Sequence, residues 1–360
     1  MLSYFETRTR IIALVAIGAS LLALVLKIGD AGGVVVFGAS AVGLAGLAAM
    51  VGEATDQLGH RLGSGATGVL QSALGNLPEL FIGIFALRAG LVEVVRSALV
   101  GSILANTLLV LGLAFLAGGL RHGPQRFGAD KTRMMSTLLL LAVAAMAIPT
   151  IATAPGGPDQ GHATELSVFV SVVLLVVFAA SIPFSIRGGP GVGTTESAVA
   201  PEHAWPLGLA IGALCAAGVG AVFVSDWFVE SLRPAMSYLG MSESFAGLVV
   251  VAIAGNAVEN VVGVQSMLRD KGDLAISLIL NSSLQVALAL TPVLVILSLV
   301  AGGAVLTLVL SPLLVVGLAL ATLLVALVVI DGESTWLEGL ALVGLYVILA
   351  ASVWWGAPIG

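Results

Sequence analysis

Two short segments carry the residues of this chain that are best suited to chemistry. They read G-N-L-P-E at 75–79 and G-N-A-V-E at 255–259, so Glu79 and Glu259 stand 180 residues apart, half of the chain length. In each segment an asparagine precedes the glutamate by three residues, which places both on one helix face, one turn apart. Carboxylate and amide oxygens are preferred ligands of hard divalent cations. The pattern predicts a site for protons or such a cation.

The composition indicates that membrane helices carry these segments. The 360 residues are 59% hydrophobic and 9% charged, with a mean hydropathy of +1.13, whereas a soluble chain is about 25% charged. Long continuous apolar runs exclude a transmembrane β-barrel, whose strands alternate. The few charges exclude a nucleic-acid-binding footprint, and the single cysteine, Cys215, excludes an internal disulfide and a cysteine metal cage. We predict an all-α polytopic membrane protein.

Runs of about 20 apolar residues cross a bilayer. They predict eleven transmembrane helices, at 11–29, 32–57, 65–88, 93–119, 132–153, 164–186, 205–231, 242–268, 273–301, 304–329 and 336–355. Arg8 and Arg10 precede the first run as in a signal peptide, but no cleavage site follows, and we expect a retained helix. Ten of the 14 Lys and Arg residues fall on the side of the N-terminus. The positive-inside rule therefore predicts a cytoplasmic N-terminus and an outside C-terminus, and we expect the inner membrane of a prokaryote.

Glu79 and Glu259 fall in the middle of the third and eighth predicted spans. A charged side chain at that depth costs at least ~2.5–3.5 kcal/mol, so an acid there indicates function. The alternative is a structural ion pair, but the sequence places no Lys or Arg in the middle of any predicted span. Desolvation and mutual repulsion favour the protonated form of such a pair. We therefore expect the pair to hold protons when no metal is bound, and the absence of His and Cys ligands there disfavours zinc and copper.

The two motif helices are separated by five spans, so they cross the membrane in opposite senses. At the same offset of 180 residues, Ser97 and Ser102 in the fourth span correspond to Ser277 and Ser282 in the ninth. Matching segments of opposite sense predict an inverted-topology repeat with its substrate site near the bilayer midplane, on helices interrupted by Gly or Pro. We predict an N-terminal helix at 1–31, five-helix repeats at 32–186 and 205–360, and a linker at 187–204.

Glycine and proline interrupt both motif helices. Gly75 and Pro78 fall in the first motif and Gly255 in the second, and Pro78 frees the carbonyl of Leu74 from its helical hydrogen bond. Freed carbonyls at membrane depth are tolerated only where they face protein, water or an ion. The interruptions therefore support a site at both motifs.

Other polar residues inside the spans have two interpretations each. Asn106 and Gln285 either line the site or bond between helices, whereas for the serines we favour interhelical hydrogen bonds. Acids near the ends of the second and seventh spans either form a charged vestibule or gate, or are helix-end residues in interfacial water. These acids are Glu53, Asp56, Asp226 and Glu230.

The motifs resemble the Ca²⁺/cation:proton exchanger family, part of the cation/Ca²⁺ exchanger superfamily. G-N-L-P-E-L at 75–80 and G-N-A-V-E-N at 255–260 are similar to its two repeat signatures, and the segments at 101–106 and 282–285 resemble the helices that follow them. The resemblance covers roughly residues 50 to 300. It implies that Glu79 and Glu259 bind Ca²⁺ and protons in alternation, as transported substrates and without a cofactor. It also implies that four amides line the site: Asn76, Asn256, Asn106 and Gln285.

Three positions depart from the family's pattern. Asn260 stands where the family often has His, which removes a His-assisted proton path, and Gln71 stands where the family tends to have Asn. The linker 187–204, often strongly acidic in relatives, has only Glu196 and Glu202 as acids. A linker that senses Ca²⁺ is therefore not expected.

These observations favour a secondary antiporter, and not an enzyme, that expels Ca²⁺ in exchange for protons. A Na⁺-driven Ca²⁺ exchanger on the same fold is the alternative, although that branch resembles G-T/S-x-x-P-E, with hydroxyls where this chain has Asn76 and Asn256. An ion channel would need no paired titratable acids. An intramembrane hydrolase would need a His or a metal-binding H-E-x-x-H in a span, and neither occurs.

Overall fold

The computed structural model describes residues 6–62, 74–186 and 205–354, which fold almost entirely into helices. The helices are α1 (Thr7–Ile28), α2 (Gly33–Leu62), α3 (Leu77–Arg88), α4 (Val92–His122), α5 (Ala129–Ala152), α6 (Ala163–Ile186), α7 (Leu207–Leu239), α8 (Glu243–Gly255), α9 (Ala257–Leu268), α10 (Gly272–Ser298), α11 (Pro312–Val328) and α12 (Trp336–Trp354). Two short strands, β1 (Gln125–Arg126) and β2 (Glu333–Ser334), pair antiparallel between loops.

The fold class predicted from composition is confirmed, because each predicted span contains a helix. Among the described residues, eight helices are long and apolar enough to cross a bilayer, and the bent pair of α8 and α9 makes a ninth. The helix α11 is apolar but has only 17 residues, and the start of the third predicted span lies outside the described residues, together with Gln71 and the linker 187–204. The total of eleven spans stays a prediction.

The tenth predicted span, 304–329, is wrong in its first part. Residues 304–311 are not helical, and hydroxyls from three different helices bind the backbone of this segment. The N–H groups of Leu306, Leu308 and Leu310 donate to Ser298 Oγ (3.0 Å), Ser167 Oγ (2.9 Å) and Thr150 Oγ1 (2.9 Å). Because these partners satisfy the backbone inside protein, non-helical chain is tolerated there.

The helices α2 and α7 form the central antiparallel pair. Phe37 and Phe228 stack with ring centroids 4.8 Å apart, while Gly33 at the start of α2 lies against Pro234 near the end of α7. The N-terminal helix α1 packs on the outside of α2. A second close crossing joins α4 to α8, where a Cβ on Gly101 would stand 2.3 Å from the carbonyl oxygen of Leu248. These crossings bring both motifs to the centre of the bundle.

Candidate functional site

Both motif helices break at the motif asparagine with the same backbone geometry. Asn76 has φ −96° and ψ 19°, and Asn256 has φ −95° and ψ 17°. New helices, α3 and α9, begin at the next residue, and the axis of the α8–α9 pair bends by 63°. Each glutamate therefore lies in the first turn of a new helix, where the positive end of the helix dipole favours negative charge.

The carboxylate side chain of Glu79 lies against the backbone of the opposite motif. A Cβ added at Gly255 would be 2.9 Å from Glu79 Cγ and 3.2 Å from Glu79 Oε1. That distance is shorter than an ordinary van der Waals contact, so only glycine leaves room for this acid. The structure therefore brings the two motifs into direct contact, although they are 180 residues apart in sequence.

The two acids at the centre have unused ligand capacity. Glu79 Oε2 and Glu259 Oε2 are both buried and accept no hydrogen bond from the described residues. Within the described residues, no Lys or Arg forms an ion pair with either acid. A buried carboxylate oxygen without a donor requires a proton or a cation, so the pair is chemically suited to bind either one.

Four amides form two pairs that cross between the halves of the chain. Asn76 Nδ2 donates to Gln285 Oε1 at 3.1 Å, while Asn106 Nδ2 approaches Asn256 Oδ1 at 3.5 Å. Each motif asparagine thus meets an amide from the helix that follows the opposite motif. All four amides predicted from the sequence are buried, and each lies in a contact between the two halves of the chain.

Two serines join this network, and the sequence interpretation undervalued them. Asn256 Nδ2 donates to Ser102 Oγ at 3.0 Å, and Asn106 Nδ2 donates to Ser282 Oγ at 2.9 Å. Their equal offset of 180 residues, which the sequence analysis used only as evidence for the repeat, was the signal that pointed to them. Asn260, the residue after Glu259, was also undervalued, since its Oδ1 is likewise buried and accepts no hydrogen bond from the described residues.

Short π-helical turns shape the helices around the site. One covers Ala105–Val110 in α4 and includes Asn106, and another covers Val286–Leu290 in α10, directly after Gln285. A third covers Ala246–Val251 in α8, just before the second motif. Single π-turns inside α-helices occur frequently at functional sites. Propensity did not predict them.

A narrow apolar cavity leads away from Glu79 along α3. It has about 20 Å³ of space, is bounded by Ile82, Gly83 and Ala86 on one face of α3, and has Ser102 as its other polar residue. This volume holds about one water molecule. The cavity extends from the acid toward the C-terminal end of α3.

The predicted vestibule acids lie in two separate places, away from the central acids. Asp226 and Glu230 are exposed and line a cavity of about 360 Å³ with Phe85 and Arg88. Glu53 and Asp56 are half-buried near the C-terminal end of α2. Because α2 and α7 run antiparallel, the two pairs of acids lie near opposite ends of the bundle.

Comparison with known proteins identifies relatives of the whole fold. The family model described as sodium/calcium exchanger protein matches residues 32–187 and 209–355. The chain is 34% identical over 322 residues to a protein named Ca(2+)/H(+) antiporter from Synechocystis, covering 84% of this chain and 86% of that protein. It is 33% identical over 323 residues to Ca(2+)/H(+) antiporter ChaA from Bacillus subtilis, covering 88% and 91%.

A solved structure gives the same result. The structure of native YfkE superposes with a TM-score of 0.81 at 30% identity, covering 95% of this chain and 99% of that one. The resemblance of the two motifs to the cation:proton exchangers is thereby confirmed. Because the family model and the relatives cover most of the sequence, the chain belongs to the sodium/calcium exchanger protein family.

Proposed function

We propose that this chain is a secondary antiporter that exchanges Ca²⁺, or a similar divalent cation, for protons by alternating access. The observation that carries the proposal is the pair of buried acids at the centre, each with a carboxylate oxygen that has no donor. The relatives at 33–34% identity carry the name Ca²⁺/H⁺ antiporter, which supports both substrates. The protein is a membrane transporter, and we propose Ca²⁺ as cargo with no cofactor.

Exchange follows from the electrostatics of the two acids. Two ionised carboxylates at membrane depth are too costly to carry across without neutralisation. Either a divalent cation or protons neutralise Glu79 and Glu259, and each excludes the other. The transporter therefore changes its access side only when metal or protons occupy the site, which couples the two fluxes.

The amides around the acids complete the proposed site. We assign Asn76, Asn256, Asn106 and Gln285 to its lining, with oxygens suited to Ca²⁺, which accepts carboxylates together with amide and backbone carbonyl oxygens. The hydrogen bonds between Asn76 and Gln285 and between Asn106 and Ser282 support this assignment, because they hold these amides in fixed orientations.

The architecture proposed for exchange is an inverted repeat. We propose five-helix repeats at 32–186 and 205–360, with a linker at 187–204 and α1 within an added segment at 1–31. The π-turns at Ala105–Val110 and Val286–Leu290, which follow the two motifs at nearly the same offset, support this division. We also propose a cytoplasmic N-terminus and an outside C-terminus in a prokaryotic inner membrane, from the distribution of basic residues.

Ca²⁺ uptake into everted membrane vesicles tests the function. An imposed proton gradient should drive uptake, and an imposed Na⁺ gradient should not, because the site carries amides in place of the hydroxyls of the Na⁺-driven branch. Glu79→Gln and Glu259→Gln each remove a titrating charge but keep the shape of the side chain. Each substitution should reduce uptake to less than about a tenth of the wild-type rate, because a neutral amide cannot bind cation and protons in alternation.

Glu165→Gln is the matched control, since Glu165 is an exposed acid in the first turn of α6. It should retain wild-type uptake. Uptake driven by Na⁺ and not by protons would move the assignment to a Na⁺-driven exchanger. Substantial uptake by either central mutant would show that the two acids are not both needed.

A further inference from the structure

The N-terminal helix α1 places a lysine on one of the vestibule acids. Lys27, in the last turn of α1, forms an ion pair with Glu230 of α7, and its ammonium lies 6.0 Å from the ring centroid of Trp227. The side chain of Lys27 is 33% exposed and that of Glu230 is 64% exposed. The lysine is thus the more buried partner, held against an aromatic face, while the acid remains open to solvent.

The acid that Lys27 contacts belongs to the largest cavity described above. Glu230 lines the vestibule of about 360 Å³ together with Asp226, one turn earlier on α7, and Arg88 of α3. Lys27 and Arg88 therefore bring two positive charges to a vestibule with two acids. The ion pair leaves Asp226 as the acid of this vestibule that is not in an ion pair within the described residues.

Such an ion pair can be displaced by a cation from solution. Exposed pairs between Lys and Glu are weak because water screens the attraction, whereas a divalent cation carries twice the charge. We propose that Lys27 competes with cations for Glu230. Its ammonium neutralises this acid, and a cation that enters the vestibule must displace the ammonium from it. Helix α1 thereby lowers the apparent cation affinity on this side of the transporter. The inference rests on the proposed cation transport.

The packing of α1 supports a fixed position for this charge. Ala16 and Ala23 of α1 are fully buried, and Gly46 of α2 lies against the backbone of Ala16, so α1 cannot swing away without opening this contact. At the opposite end of α1, Arg8 is a basic residue whose charge acts on Glu53 of α2. Helix α1 thus supplies a basic residue near each pair of vestibule acids.

The test compares Lys27→Gln with wild-type full-length protein in everted and right-side-out vesicles. The measured quantity is the apparent Michaelis constant for Ca²⁺ at each membrane face. At one face the substitution should lower this constant by roughly 1.5- to 5-fold, the range that corresponds to an exposed ion pair, and high salt should reduce the difference. Lys27→Arg keeps the charge and should behave as wild type.

Two further variants separate the inference from a general charge effect. Lys271→Gln removes the same charge from the loop before α10 and should leave both constants unchanged. In a Glu230→Gln background, Lys27→Gln should have no further effect, because the acid that it neutralises is gone. Lys27→Met keeps an unbranched apolar stem and removes the charge, so it should lower the same Michaelis constant if the Gln variant folds poorly.

An unchanged constant at both faces in Lys27→Gln and Lys27→Met would overturn the inference. An equal change in Lys271→Gln, or a change that persists without Glu230, would overturn it as well. The constant is read whichever ion gradient drives uptake. Wild-type uptake that does not respond to a proton gradient would therefore count against the proposed function. The Michaelis constants of the variants would still test the inference about Lys27.

Discussion

The contact between Glu79 and Gly255 shows how single residues join the two halves of the chain. The acid comes from the first motif, and the backbone against which it lies comes from the second. A relative movement of the two halves must therefore change the surroundings of this carboxylate. The position of Glu79, a proposed cation ligand, is thus coupled to the movement of the halves through its contact with Gly255.

Gly255→Ala tests this contact. The added Cβ would be 2.9 Å from Glu79 Cγ, so the carboxylate must move. A displacement of a few tenths of an ångström to about 1 Å should reduce the ratio of the maximal Ca²⁺ uptake rate to the Michaelis constant by about tenfold or more. Alanine favours helix more than glycine does, so weaker helix formation would not explain a loss. The effect of the substitution is measured as Ca²⁺ uptake into vesicles under a proton gradient.

Gly52→Ala is the control, since a Cβ at Gly52 of α2 would meet no atom within 4 Å. It should retain wild-type uptake. Equal activity of the two variants would mean that Glu79 does not need the space at Gly255.

Among the elements, the extended segment at 304–311 depends most on its neighbours. Alternate residues of the segment are buried, namely Leu306, Leu308 and Leu310, and Arg96 of α4 donates to the carbonyl oxygen of Thr307 at 3.1 Å. Ser311 then caps α11, accepting from Leu314 N at 3.4 Å, with Pro312 at the first helical position, where proline is favoured. The segment joins α4, α5, α6 and α10 and braces this side of the bundle.

Ser167→Ala tests this brace. It leaves the buried N–H of Leu308 without its acceptor, and an unsatisfied buried donor costs about 1–3 kcal/mol. The free energy of unfolding in detergent should fall by that amount, measured by thermal unfolding of the purified protein. Ser352→Ala is the control, because the Ser352 hydroxyl is exposed and bonds only within its own helix. Equal losses in both variants would contradict the role of Ser167.

At the scale of the whole molecule, acids lie at three levels along the bundle. Glu79 and Glu259 lie at its centre, Glu53 and Asp56 lie toward one end, and Asp226 and Glu230 lie toward the other. The two outer levels lie at opposite ends because α2 and α7 pack antiparallel. A cation crossing the protein would therefore meet negative charge at entry, midway and at exit. The central pair differs from the others because its Oε2 atoms are buried.

The pH dependence of Ca²⁺ binding tests the competition at the central pair. If metal and protons occupy the same two carboxylates, binding of metal releases protons, and apparent Ca²⁺ affinity must fall as the pH falls. The decrease should reach up to about a hundredfold per pH unit where two protons are released. Binding to the purified protein, measured at several pH values with and without Na⁺, checks this. Affinity that is constant between about pH 6 and pH 8 but falls with added Na⁺ would favour Na⁺ coupling.

The sequence by itself determined the class of protein and the acids that are candidates for its site. A mean hydropathy of +1.13 requires lipid as solvent whatever the helix arrangement, and a carboxylate at membrane depth is costly in any fold. Glu79 and Glu259 were therefore identifiable as candidate site residues from their positions alone. The helix break at Asn76 was predictable from Gly75 and Pro78.

Only the tertiary structure decided which groups meet. Residues 304–311 avoid a helix because hydroxyls of other helices bind their backbone. The pairing of Asn76 with Gln285 and the ion pair of Lys27 with Glu230 join residues about 200 positions apart. Periodicity and composition describe single helices, whereas these contacts depend on which helices become neighbours, and that is set by packing.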